Sequence, residues 1–133
     1  DLRRNLNEQF RQMHPQLPAS LTLTQIRRVK ALILEVGLEL NLELSTVAKA
    51  YVLLEKLILA GLVHKANRRL VGACCLLLAA KANDSRALRV DHLMTALSQL
   101  FQQPRGLLMS AEWDIFVTLH FHLILPNREY LPH

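Results

Sequence analysis

An uninterrupted apolar stretch constrains the fold of this chain more than any other feature. It reads LVGACCLLLAA over residues 70–80, with Arg68 and Arg69 before it and Lys81 after it. At about 1.5 Å of rise per helical residue it spans only ~16 Å, roughly half of a bilayer core, which argues against a membrane span. Ala, Leu and Cys favour a helix, and a helix that is apolar on all sides must be surrounded by other helices. The stretch therefore predicts a central buried helix at about 67–82.

The composition indicates an all-α protein with a single core. The chain has 133 residues, enough for one domain, and it is 51% hydrophobic but only 5% aromatic, with four glycines. Cys74 and Cys75 are adjacent and have no third cysteine to pair with. We interpret them as small buried hydrophobic residues of a reducing, intracellular compartment rather than as a disulfide or a metal site.

Apolar periodicity and capping residues predict five helices of about ten to nineteen residues, preceded by a narrow amphipathic helix at residues 1–14. Pro15 and Pro18 would end that first helix, and Pro126 the last one. We expect an N-terminal helix and linker at 1–19, a helical domain at 20–125 and an extended tail at 126–133.

The expected boundaries of the five helices come from single residues. Pro104 and Gly106 are expected to separate the fourth helix, at about 90–102, from the fifth. The second helix should bury Val47, Ala48, Tyr51, Leu54 and Ile58. In the last helix the apolar groups that should pack on the core are Trp113, Phe116, Val117 and those of residues 119–123. The expected helix caps are Thr22 or Thr24, Ser45, Asn67 and Ser110, with Gly61 as a left-handed residue after the second helix.

The net charge of +5 is concentrated near the start of the chain. Six basic side chains lie within residues 1–30, where only Asp1 and Glu8 are acidic: Arg3, Arg4, Arg11, Arg27, Arg28 and Lys30. Such a face could bind phosphate or an acidic partner, which leaves a role in a nucleic-acid complex open as an alternative. The small surplus of charge and the few aromatic residues argue against it.

The motifs of catalysis are missing from the sequence. It contains no Gly-rich phosphate loop, no GxSxG and no HExxH. His120 and His122 would point about 200° apart on a helix, so they cannot share a metal ion. We therefore expect neither an enzyme nor a bound cofactor or metal.

Two charged residues are candidates for binding. Lys81 closes the apolar helix, where the helix dipole and access to solvent favour an ammonium. Glu112 is expected in the first turn of the last helix, where the dipole favours a carboxylate. Both positions therefore have a structural explanation that requires no function.

Four segments together resemble the cyclin box. VKALILEVG (29–37) resembles the first cyclin helix, AYVLLEKLI (50–58) the second, and NRRLVGACCLLLAAK (67–81) the central third, whose L-x-G-x-x-x-x-L-L-A-x-K pattern is the most specific. SAEWDIFVTLHFHL (110–123) resembles the fifth. The resemblance covers about 22–125 and implies one five-helix repeat around the central helix. In cyclins, the residues at the positions of Lys81 and Glu112 grip a helix of a cyclin-dependent kinase.

The chain is also similar to the C-terminal domain of the Cables family, which links cyclin-dependent kinases to Abl-type tyrosine kinases. This resemblance implies a non-catalytic adaptor in the nucleus and cytoplasm. It implies a cyclin-dependent kinase as partner and an Abl-type kinase reached through other parts of the protein. Cyclin repeats also occur in general transcription factors, which is the basis of the nucleic-acid alternative.

The chain departs from the cyclin pattern on its first helix. Where substrate-recruiting cyclins carry an M-R-A-I-L run, it has QIRRV (25–29), and Leu32 replaces a tryptophan. Ile26 stands where cyclins have an arginine that pairs with an acid. That acid aligns with Glu55, whose partner is then Arg27 or Arg28, or missing. A second repeat does not fit after residue 123.

Overall fold

The computed structural model describes residues 21–84 and 89–120, which form five helices. They are α1 (Leu23–Glu39), α2 (Leu44–Leu59), α3 (Arg68–Asn83), α4 (Val90–Leu100) and α5 (Arg105–Thr118). The described part of the chain contains no strand, so the prediction of an all-α bundle is confirmed. The expected helix at 1–14, its linker and the tail at 126–133 lie outside the described residues.

The central helix is α3, one residue displaced from the predicted span. It contacts each of the other four helices. Because neighbours cover it on nearly every side, most of its residues are buried, including Cys74, Cys75, Leu76 and Leu77 at 0% exposure. Leu78 is only partly buried, which marks the side on which the bundle stays open.

Helix α1 begins with a capping box. The Thr22 hydroxyl accepts from the backbone N–H of Gln25 at 3.2 Å, and the Gln25 side chain accepts from the backbone N–H of Thr22 at 3.0 Å. Thr22 is therefore the cap, of the two threonines considered. The turns after α1 and α2 place Asn41 at φ 58° and Gly61 at φ 76°, so the predicted left-handed residue at Gly61 is confirmed.

Two boundary predictions are wrong. Glu43 rather than Ser45 precedes α2, and the Ser45 hydroxyl donates to the Glu43 carboxylate at 3.2 Å. Helix α5 begins at Arg105 rather than after Ser110. Pro104 caps it, because the first-turn N–H groups of a helix have no intrahelical partner and a proline there loses nothing. Asn67 does precede α3, but its side chain accepts from the His64 N–H at 2.8 Å instead of capping the helix.

Helix α2 buries three of the five residues predicted for it, Val47, Leu54 and Ile58. Ala48 and Trp113, both expected in the core, are exposed, and Tyr51 and Val117 are half-buried. On α2 the buried face is wide because the helix packs on both α3 and α1. It comprises Thr46, Val47, Ala50, Leu53, Leu54, Leu57 and Ile58.

Glycine allows α1 and α3 to cross closely. A methyl group at Gly72 would overlap Cγ1 of Val29 and lie 3.4 Å from Cε2 of Phe101. At Gly37 it would lie 2.7 Å from Cγ2 of Val47, which brings the end of α1 against α2. The side of the bundle at Gly72 is therefore closed by direct helix contact.

Polar groups join the end of α3 to the start of α2. Asn83 donates to the hydroxyls of Ser45 at 2.9 Å and Thr46 at 2.8 Å, and the buried Thr46 hydroxyl also donates to the Asp84 carboxylate. Since these bonds hold the last turn of α3, they fix the position from which Lys81 projects.

Candidate functional site

A groove of about 530 Å³ opens between α2, α3 and α5, and we call it the α3–α5 groove. Its floor and walls are mainly apolar. The residues that line it are Lys49 and Leu53 from α2, Leu78, Lys81 and Ala82 from α3, and Glu112, Trp113, Phe116, Leu119 and His120 from α5 and the residues after it. Grooves of this kind are suited to an amphipathic helix.

Lys81 and Glu112, the two predicted site residues, meet at this groove. Lys81 Nζ donates to Glu112 Oε2 at 2.8 Å. The Lys81 side chain is 42% exposed and that of Glu112 is 17% exposed, so the pair sits at the rim with the carboxylate on the inner side. An ammonium has three donors and a carboxylate two oxygens, so each group can bond a further partner without breaking the pair.

The dipole explanation considered for Glu112 is wrong. Because α5 begins at Arg105, Glu112 lies about two turns inside the helix, beyond the reach of the first-turn effect. What holds its charge in place is Lys81, from a different helix. The carboxylate also acts on the core below it: burial raises the pKa of the Cys74 thiol to about 12, and the negative charge of Glu112 adds to the rise.

Aromatic side chains form the outer wall of the groove. Trp113 is 66% exposed and stacks on Phe116, which is 40% exposed, with 5.9 Å between ring centroids. Phe116 stacks in turn on His120 at 5.4 Å. The sequence prediction placed Trp113 and Phe116 in the core. Trp113, Phe116 and His120 are three and four residues apart and so share one helix face, a signal already present in the sequence, although the spacing does not show whether that face is buried.

Lys49 is a groove residue that the sequence interpretation missed. It lies on α2, and no ion pair between described residues involves it. The groove therefore carries two ammonium groups and one carboxylate. No motif marks Lys49, because it comes to the groove through the packing of α2 on α3.

The aligned acid on α2, Glu55, has a partner that none of the considered alternatives includes. It pairs with Lys30 rather than with Arg27 or Arg28. Lys30 also lies 5.3 Å from the ring centroid of Tyr51, whose hydroxyl donates to the Lys30 carbonyl at 3.1 Å. Partial burial raises the pKa of the Tyr51 hydroxyl. Lys30 is thus engaged on the α1–α2 side, away from the exposed Arg27 and Arg28.

The remaining candidates give no sign of metal or thiol chemistry within the described residues. No group of three or more His, Cys, Asp or Glu there could hold a metal ion, and no helix there is long and apolar enough to cross a membrane. Burial and the neighbouring Cys74 raise the pKa of Cys75, so both thiols stay protonated and unreactive at neutral pH. His122 lies outside the described residues.

Comparisons with known proteins agree on one kind of domain. Residues 3–124 match the family described as "Cyclin, N-terminal domain". The chain is 40% identical over 134 residues to "CDK5 and ABL1 enzyme substrate 2" of Mus musculus, covering 100% of this chain and 28% of that protein. It is 39% identical over 135 residues to "CDK5 and ABL1 enzyme substrate 1" of Homo sapiens, covering 100% of this chain and 21% of that protein. The chain thus spans less than a third of these curated relatives. No solved structure gives a significant match.

Proposed function

The chain belongs to the family of cyclin N-terminal domains, as its cyclin-box resemblance predicts, and from this premise we propose that it is a non-catalytic module that binds a cyclin-dependent kinase through the α3–α5 groove. The predicted similarity to the Cables family is confirmed by the relatives at 39–40% identity. In the proposal, a helix of the kinase lies in the groove and contacts Lys81 and Glu112.

The apolar wall of the groove supports this proposal. Trp113 and Phe116 leave large aromatic surfaces in water beside the partly buried Leu78. Burying apolar surface is worth roughly 25 cal/mol per Å², so covering these rings would supply much of the free energy of binding. An amphipathic helix laid along α5 would cover both rings at once.

The observation that carries the proposal is the ion pair between Lys81 and Glu112 at the edge of this apolar surface. A pair at the rim orients a partner helix, because the carboxylate can accept from the free N–H groups of its first turn and the ammonium can donate to carbonyls of the residues just before it. In this proposal the aromatic rings provide most of the binding energy, and the ion pair fixes the position of the kinase helix along the groove.

The names of the relatives suggest the wider role. Two of them are described as substrates of CDK5 and ABL1. We propose that this chain likewise acts as an adaptor or regulator in cell-cycle or neuronal kinase signalling, in the nucleus and cytoplasm. An Abl-type kinase would be engaged by parts of the wider protein outside this domain, since the domain covers only 21–28% of the relatives.

The test is the binding of purified cyclin-dependent kinases, CDK5 first, to the 133-residue chain by biolayer interferometry. The double substitution Lys81→Ala with Glu112→Ala should weaken binding by about 2–5 kcal/mol, because a charge pair in a covered interface is lost. Thermal melting should change little, since a partly exposed pair contributes at most about 1 kcal/mol to stability.

A matched control is available in the other Lys–Glu pair between helices. Lys30→Ala with Glu55→Ala removes the same two side chains on the α1–α2 side and should leave kinase binding unchanged. If the folded Lys81/Glu112 variant binds as tightly as the unmodified chain, or if the Lys30/Glu55 variant loses binding equally, the groove is not the kinase site.

A further inference from the structure

The α3–α5 groove carries a positive charge that the described part of the chain does not neutralise. Lys81 and Glu112 compensate each other at 2.8 Å. Lys49 also lines the groove, and its ammonium takes part in no ion pair or hydrogen bond between described residues. The surplus charge of the groove therefore resides on Lys49.

The fold places Lys49 at the same end of the groove as the Lys81–Glu112 pair. Asn83, in the last turn of α3, donates to the hydroxyl of Thr46 in the first turn of α2 at 2.8 Å, so the start of α2 lies beside the end of α3. Lys49 follows Thr46 by three residues and Lys81 precedes Asn83 by two. At the rise of an α-helix, each lysine is within about 5 Å of this junction along its own helix.

The helix dipole does not explain a lysine at this position. It favours an ammonium in the last turn of a helix, where α2 has Lys56, whereas Lys49 follows the first turn of α2. Lys49 is exposed and therefore hydrated in the free domain. A helix that covered the groove would remove water from this ammonium, so its affinity would depend on whether it provides a counter-ion.

The position of that counter-ion follows from the orientation of the partner helix. Glu112 can accept from the free N–H groups of a first turn, which places the start of the partner helix beside the ion pair. Because Lys49 lies at this same end, the group that reaches it belongs to the first turn or to the residues just before it. A carboxylate there is also favoured by the dipole of the partner helix, and a basic side chain there would be repelled by Lys49.

We propose that Lys49 is a specificity-determining residue of the groove, which selects a kinase helix with an aspartate or glutamate in or just before its first turn, on the side that faces α2. This inference rests on the proposed function, since it takes a kinase helix as the occupant of the groove. Lys81 and Glu112 contact backbone groups that any helix offers. Lys49 contacts a side chain, which can differ from one kinase to another.

The first experiment measures the binding of purified CDK5 to variants of the 133-residue chain by biolayer interferometry. Lys49→Glu should weaken binding at least about tenfold, because repulsion replaces attraction, and Lys49→Met, which keeps the length of the side chain, should weaken it by about threefold. The matched control Lys65→Glu makes the same change of charge at an exposed lysine beside the other end of α3. It should change binding less than about twofold. Circular dichroism melting of each variant reports its folding.

The second experiment reverses the charge on the kinase. Hydrogen–deuterium exchange of the complex identifies the kinase helix that is protected by the chain. Each acidic residue in or just before the first turn of that helix is then replaced by lysine, one at a time. One of these kinase variants should bind the Lys49→Glu chain more tightly than the unmodified chain, because the two charges have exchanged sides.

Three results would overturn the selection by charge. They are unchanged binding of Lys49→Glu, an equal loss with Lys65→Glu, and a set of kinase variants of which none prefers the Lys49→Glu chain. If the Lys81→Ala, Glu112→Ala variant still loses binding in those cases, the kinase proposal stands and only the role of Lys49 is wrong. Full binding by that double variant would overturn both.

Discussion

The two sides of the central helix differ in how they are covered. On the side of Gly72, α1 and α3 touch so closely that a methyl group would overlap Val29. On the opposite side, Leu78 and Lys81 border an open groove walled by Trp113 and Phe116. The same apolar helix is therefore sealed against one neighbour and left incompletely covered beside another. The sealed side supplies stability, and the open side is where a partner can complete the core.

Two adjacent leucines provide the strongest test of this difference. Leu77 is fully buried, whereas Leu78 borders the groove. Leu77→Ala should lower the free energy of unfolding by about 3 kcal/mol, because it removes transfer energy and leaves a cavity. Leu78→Ala should lower it by only about 1 kcal/mol, because solvent already reaches that side chain. Urea denaturation measures both.

Kinase binding should show the reverse order. Leu78→Ala should weaken it, and Leu77→Ala, at a temperature where it is folded, should not. Equal losses of stability in the two variants would contradict the distinction between the buried core of α3 and its open groove.

Two glycines give a smaller contrast. Gly72→Ala should destabilise the domain by about 1–2 kcal/mol, since the overlap with Val29 outweighs the gain in helix propensity. Gly106 has no atom within 4 Å of an added Cβ, so Gly106→Ala should be neutral or stabilise by up to about 1 kcal/mol. Thermal melting compares them. If Gly72→Ala is also stabilising, α1 and α3 are not in close contact.

The burial of α3 should also affect how the stability of the domain depends on pH above neutrality. Burial raises the pKa of Cys74 from 9.0 to about 12 and shifts Cys75 in the same direction. The unfolded chain then loses its thiol protons first, so the stabilisation is complete only well below pH 9, begins to decline as the pH approaches 9 and falls further above it. Between pH 8 and pH 9.5 we expect a loss of about 1 kcal/mol for each thiol.

The control for this effect is Cys74→Ala with Cys75→Ala, which should show a shallower decline than the unmodified chain. Some decline should remain in it, because partial burial also raises the pKa of Tyr51. If the free energy of unfolding from urea denaturation falls equally in the two proteins between pH 8 and pH 9.5, the thiols are not buried.

The sequence predicts the sealed side better than the open one. The central helix is off by one residue, Gly61 is placed correctly, and Thr22 is one of the two caps considered, because an apolar run, a left-handed glycine and a capping threonine are local signals. Lys81 and Glu112 are candidates from their positions near helix ends, and the cyclin resemblance is what assigns them a joint role. Their contact at 2.8 Å depends on how α3 and α5 pack, which no local pattern encodes.

The errors concentrate on α5. Pro104 and Gly106 were interpreted as helix breakers, although a proline cap and a first-turn glycine fit the start of a helix that buries Leu108. From sequence alone, an exposed aromatic residue is easily assigned to the core. The spacing of apolar residues along a helix does not distinguish a face that packs on its own domain from one that binds a partner.

Hydrogen–deuterium exchange on the 133-residue chain, with and without a bound cyclin-dependent kinase, tests the central claim most directly. If the kinase binds in the α3–α5 groove, its binding should slow exchange in α5 from Glu112 to Thr118 and in the last turn of α3. The exchange rates of α4 and of the start of α1 should not change. Slowed exchange confined to α1 and α4, with α5 unaffected, would contradict it.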